Sequence, residues 1–211
     1  MELKDTLVFI VDDNQLVRDS LKQLVKSINL EASTFSSAQD FLDAELPDKS
    51  CCLILDVRMP KLSGLELQEK LQKKGSIIPI IFISGHGTVP ISVRAMKAGA
   101  VDFLQKPFED QVLIDAIHHA LIKNKQTRQV QLEVNKIKKK IQSLTQRESE
   151  VLIPVVSGVL NKEIAYRFNM SESTVKTHRA HIMQKMEVNS LAELVRATEK
   201  AGICPQKTNR N

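Results

Sequence analysis

The chain has 211 residues, 42% of them hydrophobic, and a formal net charge of +5, a length that allows two small domains because one hydrophobic core commonly closes at roughly 100 to 150 residues. The charge is uneven: Met1 to Lys123 carries 14 Lys and Arg against 17 Asp and Glu, whereas Asn124 to Asn211 carries 16 against 8, as expected of a nucleic-acid-binding module attached to a different kind of domain. Three cysteines, two of them adjacent, exclude a disulfide framework and lack metal-ligand spacing. No apolar run approaches the ~20 residues of a membrane span, and acids at Glu2, Asp5, Asp12, Asp13 and Asp19 exclude a signal peptide, so a cytoplasmic protein without a membrane partner is expected.

Five short apolar runs punctuate the first half: Leu7 to Val11, Glu31 to Phe35, Cys51 to Leu55, Pro79 to Ile83 and Val101 to Leu104. Helical spacing lies between them, as in Leu16, Ser20, Leu24 and Ile28, or Leu65, Leu67 and Leu71, or Leu113, Ile117, Ala120 and Leu121. Strand and helix therefore alternate five times. Near-continuous apolar strands in that order predict an α/β fold, a doubly wound parallel five-stranded sheet of flavodoxin-like type covered on both faces. Functional groups in such sheets gather at the carboxyl ends of the strands.

From Lys123 to Ser143 the composition turns to Lys, Gln and Asn, with Val130, Val134, Ile137, Ile141 and Leu144 spaced 4, 3, 4, 3. This predicts a helical linker, read either as a polar connector or as a short dimerising coiled coil. The remainder is patterned as an all-α, four-helix unit. Thr145 and Glu148 form a capping box, Ser171 with Glu172 opens another helix, and Leu191 begins the last. Pro154 falls inside the first of these helices, where a kink or early end is expected. The predicted boundaries are 1–122 for the first domain, 123–143 for the linker, 144–201 for the helical domain and 202–211 for a flexible tail.

Asp12 and Asp13 end the first run and Asp56 ends the third, so three carboxylates converge at one sheet edge. Their repulsion calls for a cation, and oxygen ligands with room for water suit Mg²⁺, or Mn²⁺ in its place. Ser84 and Lys106 bring a hydroxyl and an ammonium group to the same edge. In this constellation Asp56 serves as nucleophile for phosphoryl transfer, while Lys106 and Ser84 stabilise the phosphoryl oxygens. Singly, each residue has a plainer account, such as helix cap, turn or surface charge; their joint placement at the ends of four strands favours the functional one.

In the second half, Asn161 to Phe168 and Ser171 to about Met186 are two helices separated by the short turn Asn169-Met170, a helix-turn-helix pattern. Val175, Ile182 and Met186 share one side of the second helix; Ser173, Lys176, Thr177 and Ala180 share another, suited to a DNA major groove. Lys162, His178, Arg179 and Lys185 are placed to meet phosphates.

The segments Val11-Asp12-Asp13, Leu55-Asp56-Val57-Arg58-Met59-Pro60, Ser84-Gly85-His86-Gly87 and Ala95 to Phe108 resemble receiver domains of FixJ-type response regulators. The resemblance covers about the first 120 residues. It implies phosphorylation of Asp56 by a sensor histidine kinase, with Mg²⁺ held by Asp13, Asp56 and the backbone carbonyl of Arg58 and reached by Asp12 through water. It implies further that Ser84 and Phe103 are switch positions and that the Lys106-Pro107 bond is cis.

Thr145-Gln146-Arg147-Glu148, Gly158, Asn161 to Ala165, Ser171 and Thr174 to Arg179 are similar to the LuxR-type helix-turn-helix, from Leu144 to about Glu199. By that resemblance Lys176, Thr177 and Ala180 face bases, and Asn161, Lys162 and His178 contact the backbone. The last helix, from Leu191, is either a dimer surface or core. Together the two resemblances imply a transcription regulator of a two-component system. It would be no enzyme beyond catalysing its own phosphorylation and dephosphorylation. Its expected partners are the kinase, double-stranded promoter DNA and a second copy of the chain when phosphorylated, with RNA polymerase a further candidate. The alternatives are an RNA- or protein-binding output, or a phosphate sink.

Overall fold

The computed structural model describes residues 6–85 and 87–203, so Cys204, most of the expected tail and His86 lie outside the described residues. The chain divides into two compact units, Met1–Gln129 and Val130–Asn211, and each is described by itself.

The first unit contains β1 (Thr6–Val11), α1 (Gln15–Ser27), β2 (Glu31–Phe35), α2 (Ala38–Asp43), β3 (Ser50–Asp56), α3 (Gly64–Lys73), β4 (Ile80–Ser84), α4 (Val89–Lys97), β5 (Asp102–Gln105) and the start of α5 (Asp110–Gln142). The strands pair in parallel in the order β2-β1-β3-β4-β5. Residues alternate between two cores because the side-chain period of a strand is two. Phe9, Leu53, Leu55 and Phe82 enter one with Phe41 and Leu67; Ile10, Ile54, Ile83 and Leu104 enter the other with Val25, Leu113 and Ile117. The central strands are apolar throughout because both of their faces are covered.

Three strands reach one residue further at their carboxyl ends than the apolar runs, the fifth of them through Gln105. The third strand runs on through Asp56 and the fourth through Ser84, so both polar groups are held by strand pairing. The first helix is capped by Asn14, whose side chain accepts the backbone N–H groups of Leu16 and Val17.

The second unit holds the end of α5 with α6 (Gln146–Val156), α7 (Asn161–Arg167), α8 (Glu172–Met186) and α9 (Leu191–Lys200). Its core joins Val151, Leu152, Val155, Ile164, Val175, Ile182, Met186 and Leu194. The capping box predicted at Thr145 and Glu148 is formed, with both reciprocal bonds present. Pro154 does not end its helix: the helix continues through it to Val156, and Gly158 then takes the left-handed turn at φ 75°. The expected heptad seam is largely spent within the chain, since Ile137, Ile141 and Leu144 pack on the core of this unit while Val130 stays exposed. Of the last helix, Leu194 and Thr198 are buried and Val195 packs on the core, so most of its apolar face is internal.

Candidate functional site

The sheet order reverses beside β1 and β3, and the carboxyl ends of those strands form the crevice where open α/β sheets place their chemistry. Asp12 leaves β1 and Asp56 closes β3, at 1% and 7% exposure. Lys106, following β5, sets its Nζ 2.8 Å from Asp12 Oδ2 and 3.0 Å from Asp56 Oδ1. The other oxygen of each carboxylate accepts a backbone N–H: Asn14 donates to Asp12 Oδ1 at 2.8 Å, and Arg58 donates to Asp56 Oδ2 at 2.7 Å. Arg18 adds a guanidinium bond to the carbonyl of Asp12 at 2.7 Å.

Burial pushes the Asp56 carboxyl above its usual range, against the opposing pull of the Lys106 ammonium. For Lys106, burial works to lower its basicity, but the bonds to Asp12 and Asp56 outweigh that and hold it charged above the usual lysine value. Ser84 is buried at the end of β4, and its carbonyl accepts the Lys106 N–H at 2.8 Å. Phe103 is half-buried, 6.2 Å from the ring of Phe82, and the Lys106-Pro107 bond is cis.

The expectation of three converging acids changes here. Asp13 is exposed, and the cation found among the carboxylates is Lys106. Among the described residues no three carboxylate, imidazole or thiol groups enclose a metal position. Charge and donor type still fit a hard divalent ion, because two buried carboxylates against one ammonium leave an excess of negative charge and all side-chain acceptors are oxygens.

Glycine matters at two places that sequence reasoning passed over. A β-carbon on Gly64 would overlap the carbonyl oxygen of Asp56, and one on Gly87 would stand 2.8 Å from the Phe103 ring. The first helix residue after the Asp56 loop is thereby pressed against the strand that carries the acid. The signal was the Ser63-Gly64 pair opening a capped helix, which reads equally as an ordinary N-terminus.

In the second unit Ser171 caps α8 and Asn169 supplies the left-handed turn at φ 50°. Lys176, Thr177 and Ala180 are all exposed on α8. Lys162 is exposed on α7, while Asn161 accepts a bond from Arg179 at 3.2 Å, tying α7 to α8. His178 is half-buried, with its Nδ1 inside and without a partner. Lys185 is placed otherwise than expected: its ammonium lies 2.6 Å from Glu148 and 3.5 Å from the carbonyl of Ser143.

Comparison with known proteins bears on both units. Residues 8–118 match the response regulator receiver domain, and residues 142–198 match the bacterial regulatory proteins of the luxR family. The chain is 45% identical over 204 residues to nodulation protein W of Bradyrhizobium diazoefficiens, covering 97% of this chain and 90% of that protein. It is 47% identical to response regulator protein TmoT of Ectopseudomonas mendocina, over 95% and 91% of the two chains. Among solved structures it is similar to the response regulator StyR, with a TM-score of 0.79 at 47% identity, covering 93% of this chain and 99% of that one. Full-length FixJ from B. japonicum matches with a TM-score of 0.56 at 40% identity, covering 94% and 98%.

Proposed function

From the premise that this chain belongs to the two-component response regulators that join a receiver domain to a LuxR-type DNA-binding domain, we propose that Asp56 is its phosphoacceptor and that phosphorylation switches DNA binding by α7 and α8. The protein is a transcriptional response regulator and not an enzyme in the ordinary sense. The observation that carries the assignment of Asp56 is the placement of Lys106 between it and Asp12 at the switch point of the sheet.

A carboxylate oxygen of Asp56 attacks the phosphorus of a donor phosphohistidine; the phosphorus–nitrogen bond breaks and the imidazole leaves with its electron pair. Lys106 then moves its ammonium bond from the carboxylate to a phosphoryl oxygen, and Ser84 donates its hydroxyl to another. Phe103 turns inward as Ser84 moves, which makes that pair the switch. Receiver domains generally bind Mg²⁺ for this reaction; here Asp13, Asp56 and the Arg58 carbonyl would hold it, with Asp12 acting through water, and it would supply positive charge for the phosphoryl oxygens.

The phosphoryl group adds ~1.5 to 2 negative charges, and a coupling of ~1 to 3 kcal/mol is enough to favour dimers matched to paired half-sites in promoter DNA. Lys176, Thr177 and Ala180 face bases; Asn161, Lys162, His178 and Arg179 serve the phosphate backbone. Lys185 is left out of that set because Glu148 holds it. The partners are a sensor histidine kinase, duplex DNA, a second copy of the chain and RNA polymerase, in the cytoplasm.

Duplex binding with and without acetyl phosphate and Mg²⁺ tests the switch. Wild type is expected to bind more tightly when phosphorylated, and Asp56→Ala to lose both phosphorylation and the response. An unchanged response in Asp56→Ala overturns the assignment.

A further inference from the structure

The base-facing side of α8 carries four short or flexible side chains, Ser173, Lys176, Thr177 and Ala180, and their hydroxyl groups are not free to read. The Thr177 hydroxyl donates its one proton to the backbone carbonyl of Ser173 at 3.1 Å, the local back-bond that threonine makes within helices. Ser173 Oγ lies 2.6 Å from Ser171 Oγ, which itself lies 2.8 Å from Thr174 Oγ1 and accepts the Thr174 N–H at 3.1 Å. The hydroxyls at this end of the helix are turned toward one another and the backbone. Lys176, Thr177 and Ala180 are all exposed, and Ala180 lies three residues past Thr177, so the two methyl-bearing residues share a face.

What this face offers a base edge is therefore one cationic donor flanked by two methyl groups. A thymine is the base whose major-groove edge ends in a methyl group, and apolar contact is how it is read. We propose that Thr177, with Ala180 beside it, recognises the C5-methyl groups of thymines through apolar contact, and that the Thr177 hydroxyl takes no part as a donor. The proposal rests on the reading of α8 as the DNA-reading helix and adds the chemistry by which one residue of it discriminates.

The test replaces thymines with deoxyuridine, which removes the methyl group and leaves every hydrogen-bonding atom in place. The phosphorylated full-length chain first selects a duplex from a random-sequence pool, and each thymine of that duplex is then exchanged singly. Wild type is expected to lose about three- to fivefold in affinity at one or two thymines per half-site. In Thr177→Ser the loss at one of them disappears, because the methyl that sensed it is gone; in Ala180→Gly the loss at a second disappears. Thr177→Val keeps the preference for thymine over uracil, because its methyl groups remain and only the hydroxyl is lost. If Thr177→Val loses that preference, or if wild type is indifferent to every exchange while still selecting a sequence, the methyl reading is overturned and the DNA-binding function stands. If wild type selects no sequence at all, the reading of α8 falls, and this inference with it.

Discussion

Lys185 and Glu148 meet at 2.6 Å inside the second unit, joining the carboxyl end of α8 to the amino end of α6. The Glu148 side chain is 4% exposed and also accepts the Thr145 N–H in the capping box. The Lys185 bond, with the box, draws the Glu148 carboxyl down to about 2 from the usual 4.5. His181 faces the same carboxylate, with Nδ1 3.6 Å from Oε1.

A depressed carboxyl contributes stability that is complete above its unfolded value and is lost as pH falls through its folded value. The second unit should therefore weaken between about pH 4.5 and about pH 2 as Glu148 takes a proton. Glu148→Gln at pH 7 is expected to cost on the order of 2 kcal/mol, since a tenfold change in proton affinity corresponds to about 1.4 kcal/mol and the partly exposed Lys185 is screened by solvent. Hydrogen exchange resolved over residues 146–186 measures it, and equal protection in variant and wild type between pH 7 and pH 5 would refute the role.

Asp56 makes the opposite case. Burial raises its carboxyl, so its contribution to stability is full below the unfolded value and is lost as pH rises through the folded one. A charged Asp56 carboxylate at neutral pH therefore works against folding. Asp56→Asn should raise receiver stability at neutral pH, since it removes the charge that burial disfavours, while abolishing phosphorylation by acetyl phosphate. Urea unfolding of the variant compared with wild type checks the sign; a lower midpoint would show that the Lys106 bond outweighs burial.

The strands were legible because a parallel sheet buried on both faces leaves unbroken apolar runs, and Asp56, Ser84 and Lys106 were legible because such runs end where the chemistry gathers. The partition of the acids was not. Asp12 and Asp13 are adjacent in sequence, yet the first is buried against Lys106 and the second is exposed; both lie in the loop past the end of β1, where no strand period says which of two neighbouring acids is covered. Lys185 and Lys176 look alike as basic residues on one helix, and only the fold reveals that Glu148 waits for the former. The heptad spacing of Ile137 and Ile141 likewise could not say whether the covering surface is a second chain or the helices that follow.

Gly64 sets a steric condition on the acceptor. A β-carbon there would overlap the Asp56 carbonyl oxygen, with Leu55 and Phe82 side-chain atoms at 3.1 Å. Backbone cannot rotate aside as a side chain can, so Gly64→Ala should displace the end of β3 and cost about 1 to 3 kcal/mol. Its rate of phosphorylation by acetyl phosphate should fall about tenfold or more, because reacting groups tolerate little misplacement. A variant that loses stability but reacts at the wild-type rate would show that the strand end had not moved.

Asn124 offers the cleanest separation of structure from signalling. It is 1% exposed on α5, where its Oδ1 accepts the Cys51 N–H at 3.0 Å and its Nδ2 donates to the Ile77 carbonyl at 2.9 Å. The amide thus closes the amino ends of β3 and the segment leading into β4, at the edge of the sheet opposite Asp56. Asn124→Leu keeps the approximate volume but leaves a buried N–H and a buried C=O without partners, each worth about 1 to 3 kcal/mol. We expect the receiver to lose about 2 to 4 kcal/mol in urea unfolding. Acceptance of a phosphoryl group by Asp56 should stay near wild type wherever the variant is folded, because no bond at the carboxyl ends of the strands is touched. If phosphorylation fails in the folded variant while Asn124→Asp, which retains the acceptor for Cys51, restores it, then the two ends of the sheet are coupled through β3.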